Sequence, residues 1–177
     1  MVKSLKWQEG LVLSFEIEKG IYAISQMREN YLLEIFDMFA EEDEWKGIDL
    51  NSVDVLFAIF VSIKNTKNMF SRVIDGGSIK PNRRPVEKYM LSAIFGTPGN
   101  TGARLISLSK AYSNIGADIV KSFLSPSHDL DTIYRYELCG MVGDPDKIIS
   151  RINTYRRTGV NWDPSKEFLF PDIKRPS

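Results

Sequence analysis

The chain carries one histidine, His128, with Asp129 and Asp131 close beside it. Imidazole and carboxylate together are the usual equipment of general acid–base catalysis. Such a set also needs a third group placed by the fold, and the flanking Ser125-Pro126-Ser127 signals an exposed turn instead. The single cysteine, Cys139, ends an apolar run beside Gly140, the setting of a buried and inert thiol. One histidine and one cysteine give no zinc-ligand spacing. The carboxylates Glu41-Glu42-Asp43-Glu44 could attract a hard cation, but they lack the alternating spacing and turn glycine of a calcium loop. Gly96-Thr97-Pro98-Gly99-Asn100-Thr101-Gly102 is rich in glycine like a phosphate cradle. It lacks the Gly-Lys-Ser/Thr ending and runs into Ala103-Arg104, so it is expected to be a connecting loop. No catalytic residue, metal or cofactor is expected.

What the charges could do is bind. Glu41, Glu42, Asp43, Glu44, Asp49 and Asp54 form an acidic belt opposed within the segment only by Lys46, and Trp45 stands inside it. An exposed loop of this kind would give a complementary field and one aromatic anchor for a basic partner. Two basic groups balance it: Lys80, Arg83, Arg84 and Lys88 in one loop, and Arg151, Arg156, Arg157, Lys174 and Arg175 near the C-terminus. A small β-barrel that contacts nucleic acid through Arg83, Arg84, Arg156 and Arg157 is the alternative reading. Against it, Lys plus Arg equals Asp plus Glu at 23 each, without the basic excess of a dedicated nucleic-acid binder.

Hydrophobic periodicity supplies the scaffold. Leu11, Leu13, Phe15 and Ile17 alternate with their neighbours, Glu18-Lys19-Gly20 is a turn, and Ile21–Met27 returns as a strand. Tyr31–Phe39 reads as a third strand. Val53–Ile63, apolar on both faces, reads as the central one. Met69–Ile74 is a shorter strand broken by Gly76-Gly77, and Pro81-Asn82-Arg83-Arg84-Pro85 is an extended loop. Tyr89–Phe95, Arg104–Leu108 and Thr132–Leu138 are predicted strands, and Ala111, Ile115, Ile119 and Phe123 have helical spacing. The firmest helix starts at Asp144-Pro145, presents Ile148, Ile149, Ile152 and Tyr155, and stops at Gly159. Pro171–Ser177 reads as a disordered end.

These elements predict an α+β fold: an antiparallel sheet or small β-barrel in the N-terminal half, and a mixed second half ending in a helix. The expected organisation is one domain over residues 1–177, β-rich at 7–95, mixed at 96–160, with a tail at 161–177. A chain of 177 residues buries a sizeable core without staples. The apolar run Val53–Ile63 is too short to span a bilayer, no signal peptide opens the chain, and a lone cysteine suits a reducing compartment. A cytoplasmic protein is expected.

The N-terminal half resembles the bacterial immunity protein 26 family. The resemblance rests on Trp7-Gln8-Glu9-Gly10 leading into Leu11-Val12-Leu13-Ser14-Phe15, on Gly20-Ile21-Tyr22-Ala23, and on Ile35-Phe36-Asp37-Met38-Phe39. Leu56–Val61, Phe70–Ile74 and a C-terminal Asn161-Trp162-Asp163-Pro164 with Pro171 add to it. Phe70 stands where the family pattern has Trp, Gly76 lies two residues beyond Ile74 where the family has it directly after, and 96–142 has no counterpart. The resemblance implies a stoichiometric, non-catalytic inhibitor of a toxin used in contact-dependent growth inhibition. The expected partner is a cognate toxin C-terminal domain, a basic nuclease, bound 1:1 by a monomer, without membrane or direct nucleic-acid contact.

Overall fold

A computed structural model of the chain describes residues 5–96, 101–110 and 112–176. Ten strands and four α-helices are assigned there. The strands are β1 (Val12–Glu18), β2 (Ile21–Met27), β3 (Leu32–Ala40), β4 (Ile48–Asp49), β5 (Val55–Phe60), β6 (Phe70–Val73), β7 (Ile79–Lys80), β8 (Tyr89–Ile94), β9 (Gly102–Ser107) and β10 (Asp118–Lys121). The helices are α1 (Ile63–Thr66), α2 (Pro126–Arg135), α3 (Pro145–Thr158) and α4 (Ser165–Leu169). The fold is α+β, with an antiparallel five-stranded sheet in the N-terminal half and a helix near the C-terminus.

That first sheet runs β5-β3-β2-β1-β6 and is open, not closed into a barrel. Gly20 turns the β1–β2 hairpin at φ +73°, a conformation that costs a residue with a Cβ. Alternation then sorts the side chains. Leu13, Phe15, Leu33, Ile35, Phe57 and Ile59 point to the face that Ile148 and Ile152 of α3 cover. Val12, Ile24 and Phe36 point to the other face, under Trp45, Leu50, Ile74 and Ile79 from the segments that flank the sheet. α3 is built as its sequence predicts: the Asp144 carboxylate accepts from the amide of Asp146 at 3.1 Å, Pro145 starts the first turn, and Gly159 ends it at φ 70°.

The second sheet is β10-β9-β8. A cluster of Leu91, Ala103, Leu124, Ile133, Trp162, Leu169, Phe170 and Ile173 packs it against α2, α4 and the C-terminal segment. The extended segment 137–142 joins the two sheets. The Leu91 amide donates to Glu137 O at 2.7 Å and the Cys139 amide to Leu91 O at 2.9 Å. The Val142 amide then donates to Phe60 O at 2.7 Å.

Several sequence expectations are corrected. Val53–Ile63 is not central: its strand part, β5, is an edge of the first sheet, and Ile63 opens α1. Both its faces are apolar because α3 covers one, while Phe60 packs with Leu32, Val86, Met90 and Ile106 at the sheet junction on the other. Thr132–Leu138 is not a strand. Its first four residues belong to α2, whose Pro126 sits in the first turn and whose Ile133 is fully buried. The predicted helical stripe Ile115, Ile119, Phe123 is a turn followed by β10, and Gly116 at φ +73° is the break; Ala111 lies outside the described residues. Of the Gly96–Gly102 loop, residues 97–100 lie outside the described residues and Gly102 starts β9. Nor is Pro171–Ser177 wholly detached: Ile173 is buried in the second core, and Ser177 lies outside the described residues.

Candidate functional site

The acidic belt is built on one end of the first sheet. β3 ends at Ala40 and delivers Glu41 and Glu42 to solvent, both exposed. Asp54, also exposed, stands just before β5 and beside Asp37 of β3: the Asp37 amide donates to Asp54 O at 2.9 Å. Asp37 of β3 is exposed at the margin of the face that α3 covers and accepts a hydrogen bond from the Tyr155 hydroxyl of α3. That bond, burial, and the charges of Asp37 and Asp54 push the Tyr155 phenol up to about 12.

The other belt carboxylates have partners within the chain. Asp43 meets Arg72 Nε at 3.1 Å, Glu44 meets Lys46 at 3.1 Å, and Asp49 meets Lys80 at 2.7 Å. The Lys80 hydrogen bond, followed by those from Asn51, lowers Asp49 to about 2. The net negative field therefore sits on Glu41, Glu42, Asp54 and Asp37, which make no ion pair among the described residues. Asp37 is the site residue that the belt pattern misses. Its signal is an acid that interrupts the apolar stretch 35–39 of β3.

Trp45 requires a correction. It is no exposed anchor: only 3 % of it is accessible, and it packs with Val12, Phe36, Leu50 and Ile79. Its Nε1 donates to Asp43 Oδ1 at 2.7 Å. The indole holds the loop down, so the carboxylates are displayed on a fixed base and the aromatic wedge is absent.

Between the start of β3 and the 81–85 loop lies a buried polar network that local pattern reading also misses. Arg28 Nη1 donates to Glu34 Oε2 at 2.6 Å, and Asn82 Nδ2 donates to the same oxygen at 2.9 Å. Gln26 exchanges two hydrogen bonds with the backbone of Asn82, at 2.9 and 2.7 Å. Arg84 donates through Nε to Asn82 Oδ1 and through Nη2 to the carbonyls of Leu50 and Val53. Arg28 and Glu34 form the one ion pair in it, and Arg84 is held by amide and carbonyl oxygens, so its donors find acceptors as a buried network requires. It fastens the 81–85 loop to the first sheet. A cleft of about 360 Å³ opens beside it, lined by Glu34, Asn82, Arg84, Tyr89, Glu137 and Asn161 among others.

Of the arginines in the nucleic-acid alternative, Arg83, Arg156 and Arg157 are exposed and Arg84 is half-buried. Arg84 is spent on that network, and Arg156 stacks over Phe39 at 5.4 Å and reaches Glu18. Arg83 and Arg157 are exposed, but no contact joins them. His128 lies in the first turn of α2, exposed, with Nδ1 2.8 Å from the hydroxyl of Ser127. Asp129 is turned away to Lys121 at 2.5 Å, and that bond lowers its pKa. Cys139 is half-buried, and burial raises its thiol pKa. Among the described residues, no group of three or more His, Cys, Asp or Glu side chains could hold a metal ion. No helix among them is long and apolar enough to cross a membrane.

A family model described as a domain of unknown function matches residues 2–175. No curated protein matches the chain, and no solved structure matches it.

Proposed function

We propose that this chain, which belongs to that family of unknown function, DUF8309, is a non-catalytic immunity protein that neutralises a cognate antibacterial toxin domain. The observation that carries the reading is the fixed acidic end of the first sheet. Glu41 and Glu42 stand exposed on a loop anchored by the buried Trp45 and by Asp43–Arg72, and Asp54 is exposed just before β5. Rigid display lowers the entropy cost of binding, and a one-signed field speeds encounter with a basic surface. Nucleases carry such surfaces because their substrate is a polyanion. The N-terminal sequence resemblance points to the same class. Protection in the cytoplasm demands near-complete occupancy, hence nanomolar affinity or better, about −12 kcal/mol.

The test is binding to the toxin domain encoded beside this chain's gene, followed by surface plasmon resonance at several salt concentrations. Replacing Glu41, Glu42 and Asp54 together by Ala should slow association about tenfold at low salt and flatten the salt dependence. His128→Ala should leave protection intact. An unchanged rate and salt slope in the triple variant would remove the acidic end from the interface, and absence of any encoded toxin domain would remove the reading.

A further inference from the structure

β10 ends the second sheet, and among the described residues no strand lies beyond it. All four of its residues are exposed, including Ile119 at 54 % and Val120 at 51 %. Ile115 and Phe123 on either side are exposed as well. A strand edge with apolar side chains and unpaired backbone groups is a template for another strand. Its pattern specifies which one.

Asp118 opposes Ser107 and Lys121 opposes Leu105, so one extra residue sits in β10 between Ile119 and Lys121. Ser107 and Leu105 are two apart on β9. Asp118 and Lys121 therefore lie on the same face of the sheet. Both also turn their backbone groups inward. The Leu124 amide donates to Ala103 O, so the odd residues of β9 face the β10 side, and they are the residues that Asp118 and Lys121 meet. The backbone groups that face outward are then the N–H and C=O of Ile119 and the C=O of Val120, because a trans peptide sets the Val120 N–H opposite the Ile119 C=O. In a strand without the bulge, a two-fold pairing of the strand with itself would set Asp118 opposite an even-numbered residue, never opposite Lys121. The extra residue changes that parity.

We infer that β10 is a self-association edge, occupied by the β10 of a second copy of this chain, antiparallel about a two-fold axis between Ile119 and Val120. In that register Asp118 faces the second copy's Lys121, each Ile119 faces a Val120, and the two small sheets become one of six strands. A parallel arrangement would oppose like charges and is disfavoured. Lys121 already bonds Asp129 at 2.5 Å, yet its side chain is 50 % exposed and an ammonium has further donors to give. The bulge and the short strand keep the contact to this one register and make the dimer a weak one. This edge belongs to the second sheet, and its test involves no toxin.

Sedimentation equilibrium of the full chain should show a concentration-dependent monomer–dimer equilibrium. Asp118→Lys alone and Lys121→Asp alone should each weaken it about tenfold or more, since like charges then face each other twice. An equimolar mixture of the two variants should form a heterodimer, because its charges are complementary again. Hydrogen exchange at the Ile119 amide of the wild type, which would donate to the second copy's Val120 C=O, should slow as concentration rises, a readout that needs no variant. A wild type that stays monomeric at all concentrations overturns the inference and leaves the edge to a strand of some other protein. So does a dimer that Asp118→Lys leaves unaffected.

Discussion

Trp45 shows how far a residue's type can be read without its place. A tryptophan between acids has the composition of a binding anchor, but local sequence does not say which side of the loop faces the sheet. Here it is buried, so Trp45→Ala should cost roughly 3–5 kcal/mol of stability, read as a lower denaturant midpoint. A loss of toxin affinity without that drop would return it to the interface. Tyr155 was legible as part of the α3 stripe, whereas its bond to Asp37 depends on strands far away in sequence. The phenol is raised from 10 to about 12. Its contribution is therefore fully present below pH 10 and fades as pH rises towards 12. Tyr155→Phe should be less stable than wild type below that range by no more than about 1 kcal/mol, because the hydroxyl is largely solvated. The gap between the two melting curves should close across the range. Lys166 is 1 % accessible, and desolvation lowers its pKa. The unfolded chain thus holds that proton more tightly, and stability gains as pH rises towards the ordinary lysine value. Lys166→Met should remove this gain, measurable as a flatter stability–pH curve on the alkaline side.

Elements with local signals were legible, and elements decided by packing were not. The β1–β2 hairpin declares itself through alternation and Gly20. α3 declares itself through Asp144-Pro145 at one end and Gly159 at the other. Asp144→Ala should cost about 1 kcal/mol by leaving the amide of Asp146 without its acceptor, which a thermal melt would register. α2 carries a Ser125-Pro126 start of the same kind. The β-prone run Thr132–Leu138 masks it, because propensity competes weakly with burial of Ile133 in the second core. For β5, an apolar pattern on both faces reports that both faces are covered, but not how many strands flank it. As Phe57 and Ile59 face α3, Phe57→Ala and Ile59→Ala should each cost roughly 2–5 kcal/mol. A midpoint near wild type in chemical denaturation would place them outside the core. Of the candidate site, Glu41, Glu42 and Asp54 were readable from composition. The partners that silence Asp43 and Asp49, namely Arg72 and Lys80, come from β6 and β7 and had no local signature.

The whole molecule depends on its two ends. Trp162, Leu169, Phe170 and Ile173 are four of the eight buried members of the second core. Truncation after Val160 should therefore abolish cooperative unfolding and sharp amide resonances over the second sheet. A truncated chain with a native-like spectrum would show that the tail merely decorates the fold. The first sheet has the same dependence on distant sequence. Its inner face is covered by α3, and the side-chain amide of Asn153 reaches back to Ile17 O across 136 positions. During synthesis, then, the strands that come off the ribosome first have an uncovered apolar face until residues near 158 have also cleared the exit tunnel. At about 5–20 residues per second, that interval lasts several seconds. For that time the apolar face stays open to solvent, so slower translation of the last third would lengthen its exposure to chaperones and proteases.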